Sequence, residues 1–296
     1  SGDYTNMTSM DAPLWFFWSL QQYIIYTGDK KTIQERYLGK LRGILEGYKS
    51  GTEFNIHMMD SGLIWGGQEG VALTWMDAIT SDGPVTPRIG CPVEIQALWY
   101  NALCFYHELT GDEEYAALAS KVKDSFDREF WSWDYGYLAD VVDGEEKDWS
   151  IRPNMIFATS LPYTILSEEK CDKVLEIVKS KLLTPRGLRS LSPDDPGYKG
   201  YYFGNQTSRD HAYHNGTVWA WLLGHFVEGY LKLHGKAAKN FVEKIIKGFD
   251  GVMTQYGIGT VAEIYDGDAP HRPKGSVSQA WSIAELLRMM DLVKRI

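Results

Sequence analysis

Seven carboxylates stand among aromatic, glycine and proline residues rather than on charged helix faces: Asp77, Asp82, Glu94, Asp210, Glu263, Asp266 and Asp268. Asp77 follows the Trp75-Met76 pair, just beyond Gly66, Gly67 and Gly70, and Glu263 sits between Ala262 and Ile264. An Asp beside glycines is commonly a turn or cap residue, so residue type alone does not assign a role. Burial against Trp75 would penalise the charged form of Asp77 and raise its pKa, and the apolar flanks of Glu263 would act in the same sense. Hydrolysis of a glycosidic bond needs two carboxyls in different environments. One stays protonated to donate to the leaving oxygen, and the other acts as base or nucleophile. Asp266 and Asp268, in YDGD, read as turn formers. Glu94 opens a helical stretch and is either a partner for the helix dipole or a ligand for a sugar hydroxyl.

Other chemistries have less behind them. His211 and His214 lie three residues apart, but there is no His-Glu-x-x-His pattern and no obvious third ligand, so no metal is expected. His214 is expected instead to donate a hydrogen bond. No Gly-x-Ser-x-Gly elbow, phosphate loop or dinucleotide fingerprint occurs, and no cofactor is expected. Arg88 and Arg152 are suited to bonding sugar hydroxyls or orienting a catalytic carboxylate. The three cysteines Cys91, Cys104 and Cys171 form no Cys-x-x-Cys pair, which fits a reducing cytoplasm. A net charge of −9 argues against nucleic acid and anionic membrane as partners. No run approaches the roughly 18 apolar residues of a membrane helix, and the start SGDYTNMTSM shows no secretion signal. The 11 Trp and 18 Tyr suit a core of large helices or a cleft that stacks on sugar faces, with Trp65 and Trp75 expected to flank it.

The elements that must position these groups are helices of two alternating kinds. Residues 93–110 are apolar on nearly every side, as a buried helix is, whereas 112–131 carry a stripe at Tyr115, Leu118, Val122 and Phe126, the spacing of a half-wet helix. The pairing recurs as 11–27 with 30–50, 153–166 with 167–182, and 214–234 with 236–256, and a last helix spans 276–296. TGD at 27–29 and 110–112 and HGK at 234–236 supply left-handed Gly caps, and Asp can start the next helix. Four of the buried helices begin near 93, 153, 214 and 276, spacings of 60, 61 and 62 residues, a period of supersecondary units. Alternating inner and outer helices in sequential hairpins describe an α/α toroid. An open solenoid is the alternative, although solenoid repeats are normally shorter. In a toroid the inner-helix N-termini share one end, so the unusual loops at DAPLW, LTWMDAITSDGPVTPRIGCPVE, IRPN, SRDHAYHNGTVW and AEIYDGDAPHRPKGS would converge on one mouth.

DAPLWFFWSLQQY, LTWMDA, VTPRIGCPVEIQALWYNAL, RPNMIFATSLP, RDHAYHNGTVWAWLLGHFVEGYL and AEIYDGDAPHRPKGSVSQAWSIAELLR resemble the C-terminal domain of bacterial and archaeal glycogen debranching enzymes, the amylo-α-1,6-glucosidases. The resemblance runs in order from about residue 3 to the end. It implies a single catalytic domain over 1–296, an all-α (α/α)6 barrel of glucoamylase-like six-hairpin type, and inverting, exo-acting release of glucose from α-1,6-linked stubs of glycogen or another branched α-glucan. It places the general acid at Asp77 and the general base at Glu263, and the substrate pocket at Arg152, Pro153, Asn154, Tyr213, His214 and Gly216. Asp11 and Gln279, at the starts of the first and last helices, complete the expected substrate contacts. An upstream Gly-Arg-Asp-Thr helix and β-rich domain found in the family are not in this sequence. On that reading the barrel lacks its first three helices, and self-association is expected to cover bare flanks at Leu14, Phe17, Trp281 and Leu287.

An inverting pair needs room for a water, so the carboxyls of Asp77 and Glu263 are expected roughly 6.5–9.5 Å apart. Two other readings remain: a glycan-binding toroid without activity of its own, and an α-glucosidase of glucoamylase or trehalase type.

Overall fold

The TGD turns form as their residues dictate. The computed structural model describes residues 8–296. Residues 1–7, within the stretch read as free of a secretion signal, lie outside the described residues. Gly28, at φ 70°, ends α1 (Ala12–Thr27), and the Asp29 carboxylate accepts from the Thr32 N–H at 3.0 Å to start α2 (Lys30–Arg36). That helix gives way at Tyr37 to α3 (Leu38–Ser50). Gly111 and Asp112 repeat the arrangement between α4 (Val93–Thr110) and α5 (Glu113–Phe130).

These five helices belong to one compact unit, which takes the chain up to Trp133 together with Leu138–Trp149 and Leu161–Leu166. Its centre is α4, buried on almost every side as its all-round apolar sequence requires. It packs against α1 on one flank and α5 on another. The segment between α3 and α4 contains five two-residue strands: β1 (His57–Met58), β2 (Ile64–Trp65), β3 (Ile79–Thr80), β4 (Gly83–Pro84) and β5 (Cys91–Pro92). Buried backbone there is satisfied partly by side chains. The Gln96 amide accepts from the Ile64 N–H at 2.7 Å and donates to its carbonyl at 2.8 Å. Strand β5 pairs with β6 (Val141–Asp143), which pairs with β7 (Glu146–Asp148).

The second compact unit takes Asp134–Tyr137, Ser150–Ser160 and Ser167–Ile296. It contains α6 (Phe157–Ser160), α7 (Glu168–Lys181), α8 (Gln206–Tyr213), α9 (Leu222–His234), α10 (Lys239–Lys247) and α11 (Ala280–Lys294). An antiparallel five-stranded sheet runs in the order β12 (Pro273–Lys274), β11 (Ile264–Tyr265), β10 (Val218–Trp219), β9 (Gly187–Arg189), β8 (Leu183–Thr184). Helix α9 is the buried one, packed on α6, α7 and α11.

Three of the expected helices are shorter than their sequence pattern. The stretch 153–166 yields a 3-10 turn at Pro153–Ile156 and the single turn of α6. The helix expected from 214 starts at Leu222, because the β-favouring pair Val218-Trp219 joins the sheet instead. The helix expected to reach 256 ends at Lys247, where Gly248, Asp250 and Gly251 lower helix propensity. The expectation of bare apolar flanks also needs correction. Leu14 and Phe17 are fully buried because α1 packs on α4, and Trp281 is half-buried with its ring stacked on Trp221 at 5.1 Å, whereas Leu287 on α11 is exposed. No helix among the described residues is long and apolar enough to cross a membrane.

The interior of the second unit contains ionisable groups. Arg288 on α11 bonds Glu228 at 2.5 Å and Glu285 at 2.6 Å. Nearby, His225 is fully buried and hydrogen-bonded to the Ser160 hydroxyl at 2.9 Å. Burial first, and then the Arg288 and Lys232 charges, push its imidazole well below the usual range. An imidazole depressed in the folded state contributes stability that is complete above its unfolded pKa, about 6.5. That stability falls away as pH drops toward the folded value, by up to about 1.4 kcal/mol per pH unit. His225→Gln, which removes the titration, is therefore expected to show a flatter stability profile than wild type between pH 7.5 and 5.5. Urea denaturation of both proteins across that range measures the difference, and parallel profiles would show that His225 is not held neutral.

Candidate active site

Glu263 immediately precedes β11, and the strand pairing fixes its backbone. Its N–H donates to the Ser276 carbonyl at 3.0 Å, and the Ser276 N–H returns a bond of 2.7 Å to Glu263 Oε2. The Tyr213 hydroxyl donates to the other oxygen, Oε1. Gly275, at φ 65°, makes this turn possible. A side chain there would be strained in φ and its Cβ would overlap the Glu263 carboxylate. The half-buried carboxylate is thus held by one donor on each oxygen. It has about four lone-pair sites, so acceptor capacity for a water remains.

Tyr213 ends α8 and is itself fixed. Its carbonyl accepts from Trp219 Nε1 at 3.1 Å, and its ring packs edge-on against Trp219 at 4.9 Å and His214 at 4.8 Å. The RPN and YH-x-G segments do meet in this unit, through the Arg152 guanidinium. Arg152 is buried and donates to the His214 carbonyl at 2.6 Å, the Ser190 carbonyl at 3.2 Å and the Asn215 side-chain oxygen at 3.0 Å. Asn154 is fully buried in the 3-10 turn, and His214 is fully buried and stacked flat on Trp219 at 5.2 Å. The side chains of Arg152, Asn154 and His214, expected from the sequence to contact substrate, are packed into the unit. Gln279 is half-buried, and its side-chain oxygen accepts from the Ala280 N–H at the start of α11.

In the first unit Asp77 lies in the loop between β2 and β3 and is exposed, so the burial against Trp75 expected from the sequence is not found. The loop around it is braced. Met10 donates to the Leu73 carbonyl at 2.8 Å, Val85 to the Ala78 carbonyl at 2.9 Å, and the Thr86 hydroxyl to the Met76 carbonyl at 3.3 Å. Arg88 adds the strongest brace. Its guanidinium grips both oxygens of Glu94, reaches Asp140 through Nε at 2.8 Å and Nη2 at 3.1 Å, and donates to the Thr74 hydroxyl at 3.2 Å. All three charged side chains are almost wholly buried. Glu94 is therefore an ion-pair partner, which corrects its reading as a sugar ligand. Burial pushes its carboxyl upward and Arg88 opposes that. Asp140 went unnoticed in the sequence, although a carboxylate between Ala139 and Val141 needs a buried cation nearby.

The perturbed acid sought at Asp77 has a counterpart in Asp11. It is buried at the start of α1 and bonded by the Ser9 hydroxyl at 2.5 Å, and burial raises its pKa despite that bond. Trp65 donates through Nε1 to Asp143 at 2.9 Å and packs on His57, while Trp75 is half-buried. Asp82 lines an open cleft of about 550 Å³ together with Gln68, Val71, Ile79, Thr80 and Ile89. Asp77 and Glu263 belong to different compact units.

The fold is shared with the neutral trehalase of Saccharomyces cerevisiae, an (α/α)6 barrel, at a TM-score of 0.57. The likeness covers 75% of this chain and 42% of that one at 14% identity, and it bears on the fold alone. It places the chain in the α/α toroid class that the helical alternation predicts. Residues 1–288 match the family described as amylo-alpha-1,6-glucosidase, and the chain belongs to that family. Among curated proteins it is similar to the glycogen debranching enzyme of Saccharomyces cerevisiae, with 27% identity over 237 residues. That match takes in 64% of this chain and spans 15% of the yeast protein's length.

Proposed function

We propose that this chain carries the glucosidase site of a glycogen debranching system and releases glucose from α-1,6-linked stubs of branched α-glucan with inversion. Asp77 protonates the leaving glycosidic oxygen and Glu263 takes the proton of the attacking water. Residues 1–296 are read here as a single catalytic domain. Asp11, Trp65, Trp75, Tyr213 and Gln279 border the glucose, while Glu94, Arg152, Asn154 and His214 act through what they hold in place. A cytoplasmic location belongs to the same reading and rests on the three free cysteines.

The observation that supports this reading most is the family match over nearly the whole chain. The two-donor clamp on Glu263 adds to it, because a general base must be oriented before its proton affinity counts. The test is glucose release by the full chain from phosphorylase limit dextrin, panose, maltose and trehalose, with the anomer followed by NMR. Limit dextrin and panose are expected to yield β-glucose. Turnover of maltose or trehalose without the α-1,6 substrates would establish the glucoamylase or trehalase reading instead. Dextrin binding without any turnover would establish the glycan-binding one.

A further inference from the structure

Residues 198–205 of the second unit meet Tyr213 of the Glu263 clamp through Tyr202, and their aromatic side chains differ in exposure. Tyr202 is half-buried with its ring 5.7 Å from Tyr213. Its neighbours Tyr201 and Phe203 are 57% and 77% exposed. Tyr202 is thus turned inward while the rings on either side of it stand in solvent. Two large rings left in water beside a site are worth explaining.

The segment is not loose. The Tyr198 hydroxyl donates to Asp268 at 2.9 Å, the Asp268 N–H to the Gly200 carbonyl at 3.0 Å, and the Tyr202 N–H to Asp266 at 2.9 Å. The Lys199 N–H reaches the Asn215 carbonyl at 2.7 Å, and Arg209 holds the Gly204 carbonyl at 2.7 Å. The two aspartates of YDGD therefore anchor this segment from the loop between β11 and β12. A pre-ordered surface loses little entropy when a ligand settles on it.

The geometry points to Tyr201 and Phe203 as a stacking platform for the glucan chain that remains outside the glucose pocket. This rests on the glucosidase reading above. In an exo-acting enzyme only one glucose enters the pocket, so everything else of the substrate lies on the leaving-group side. The apolar faces of successive glucose rings match exposed aromatic rings in width and polarity. The platform selects long, branched substrates, and it adds binding that is equal in ground state and transition state.

Uniform binding of this kind changes KM rather than kcat. In the full chain, Tyr201→Ala/Phe203→Ala is expected to raise KM for limit dextrin about tenfold, two stacked rings being of that order. Its KM for α-glucosyl fluoride, which fills the pocket alone, is expected to move far less. The ring-preserving pair Tyr201→Phe/Phe203→Tyr is expected to restore most of the dextrin affinity. Equal changes on both substrates, or none on dextrin, overturn the platform while leaving the glucosidase reading intact. Wild-type protein that releases no glucose from dextrin ends the glucosidase reading itself.

Discussion

Glu263→Gln is expected to slow glucose release by about 10²–10⁴-fold, the usual contribution of a positioned acid or base, on both limit dextrin and α-glucosyl fluoride. Water must be activated whichever group leaves, so neither substrate escapes. Asp77→Asn is expected to be as damaging on dextrin but much milder on the fluoride, because fluoride departs without a proton. The amide at position 263 is isosteric: its oxygen can accept from the Ser276 N–H while its NH2 donates to the Tyr213 hydroxyl, so the clamp keeps its shape with one bond reversed and the loss reports on proton transfer. Steady-state kinetics on the two substrates give the ratio. Equal fluoride-to-dextrin ratios in the two variants would remove the acid and base assignments. Exposure of Asp77 in the structure makes this experiment more decisive, since no buried environment marks it as the acid.

Arg88→Met is expected to destabilise the protein by about 3–5 kcal/mol, the cost of stripping the partner from buried charge. Glu94 and Asp140 would then face each other in the interior with their cation removed. Arg88→Lys should recover only part of the loss, because an ammonium cannot serve two carboxylates and Thr74 through a fixed fork. Urea denaturation gives the stabilities, and a loss below about 1 kcal/mol, typical of surface pairs, would mean that solvent reaches the triad. The consequence for catalysis follows from Thr74, three residues before Asp77. The same guanidinium that neutralises Glu94 also pins the loop that presents the proposed acid.

The helices α1, α4, α5 and α7, and the Gly-Asp caps at 28–29 and 111–112, were legible in the sequence, because periodicity and capping are local and each needs only neighbours within one or two turns. Candidate carboxylates were legible too, by their company of Trp, Gly and Pro. Charge and hydrophobic pattern carry no information about which distant residue fills a polar group's hydrogen bonds, and the reading failed where that mattered. Glu94 and Asp140 both belong to Arg88, and Arg152 to the carbonyls of Ser190 and His214. Tyr213 belongs to a carboxylate 50 residues away. The helix expected from 214 yielded its first residues to a sheet whose partners lie at 187–189 and 264–265, a tertiary preference that overrides local propensity. Sequence alone thus determined the helical frame and the short roster of residues able to do acid–base chemistry. Only the tertiary structure decided which of them are exposed, which are spent on each other in the interior, and which one is held ready by a tyrosine and a backbone N–H. Burial and hydrogen-bond pairing are properties of residues brought together across the chain.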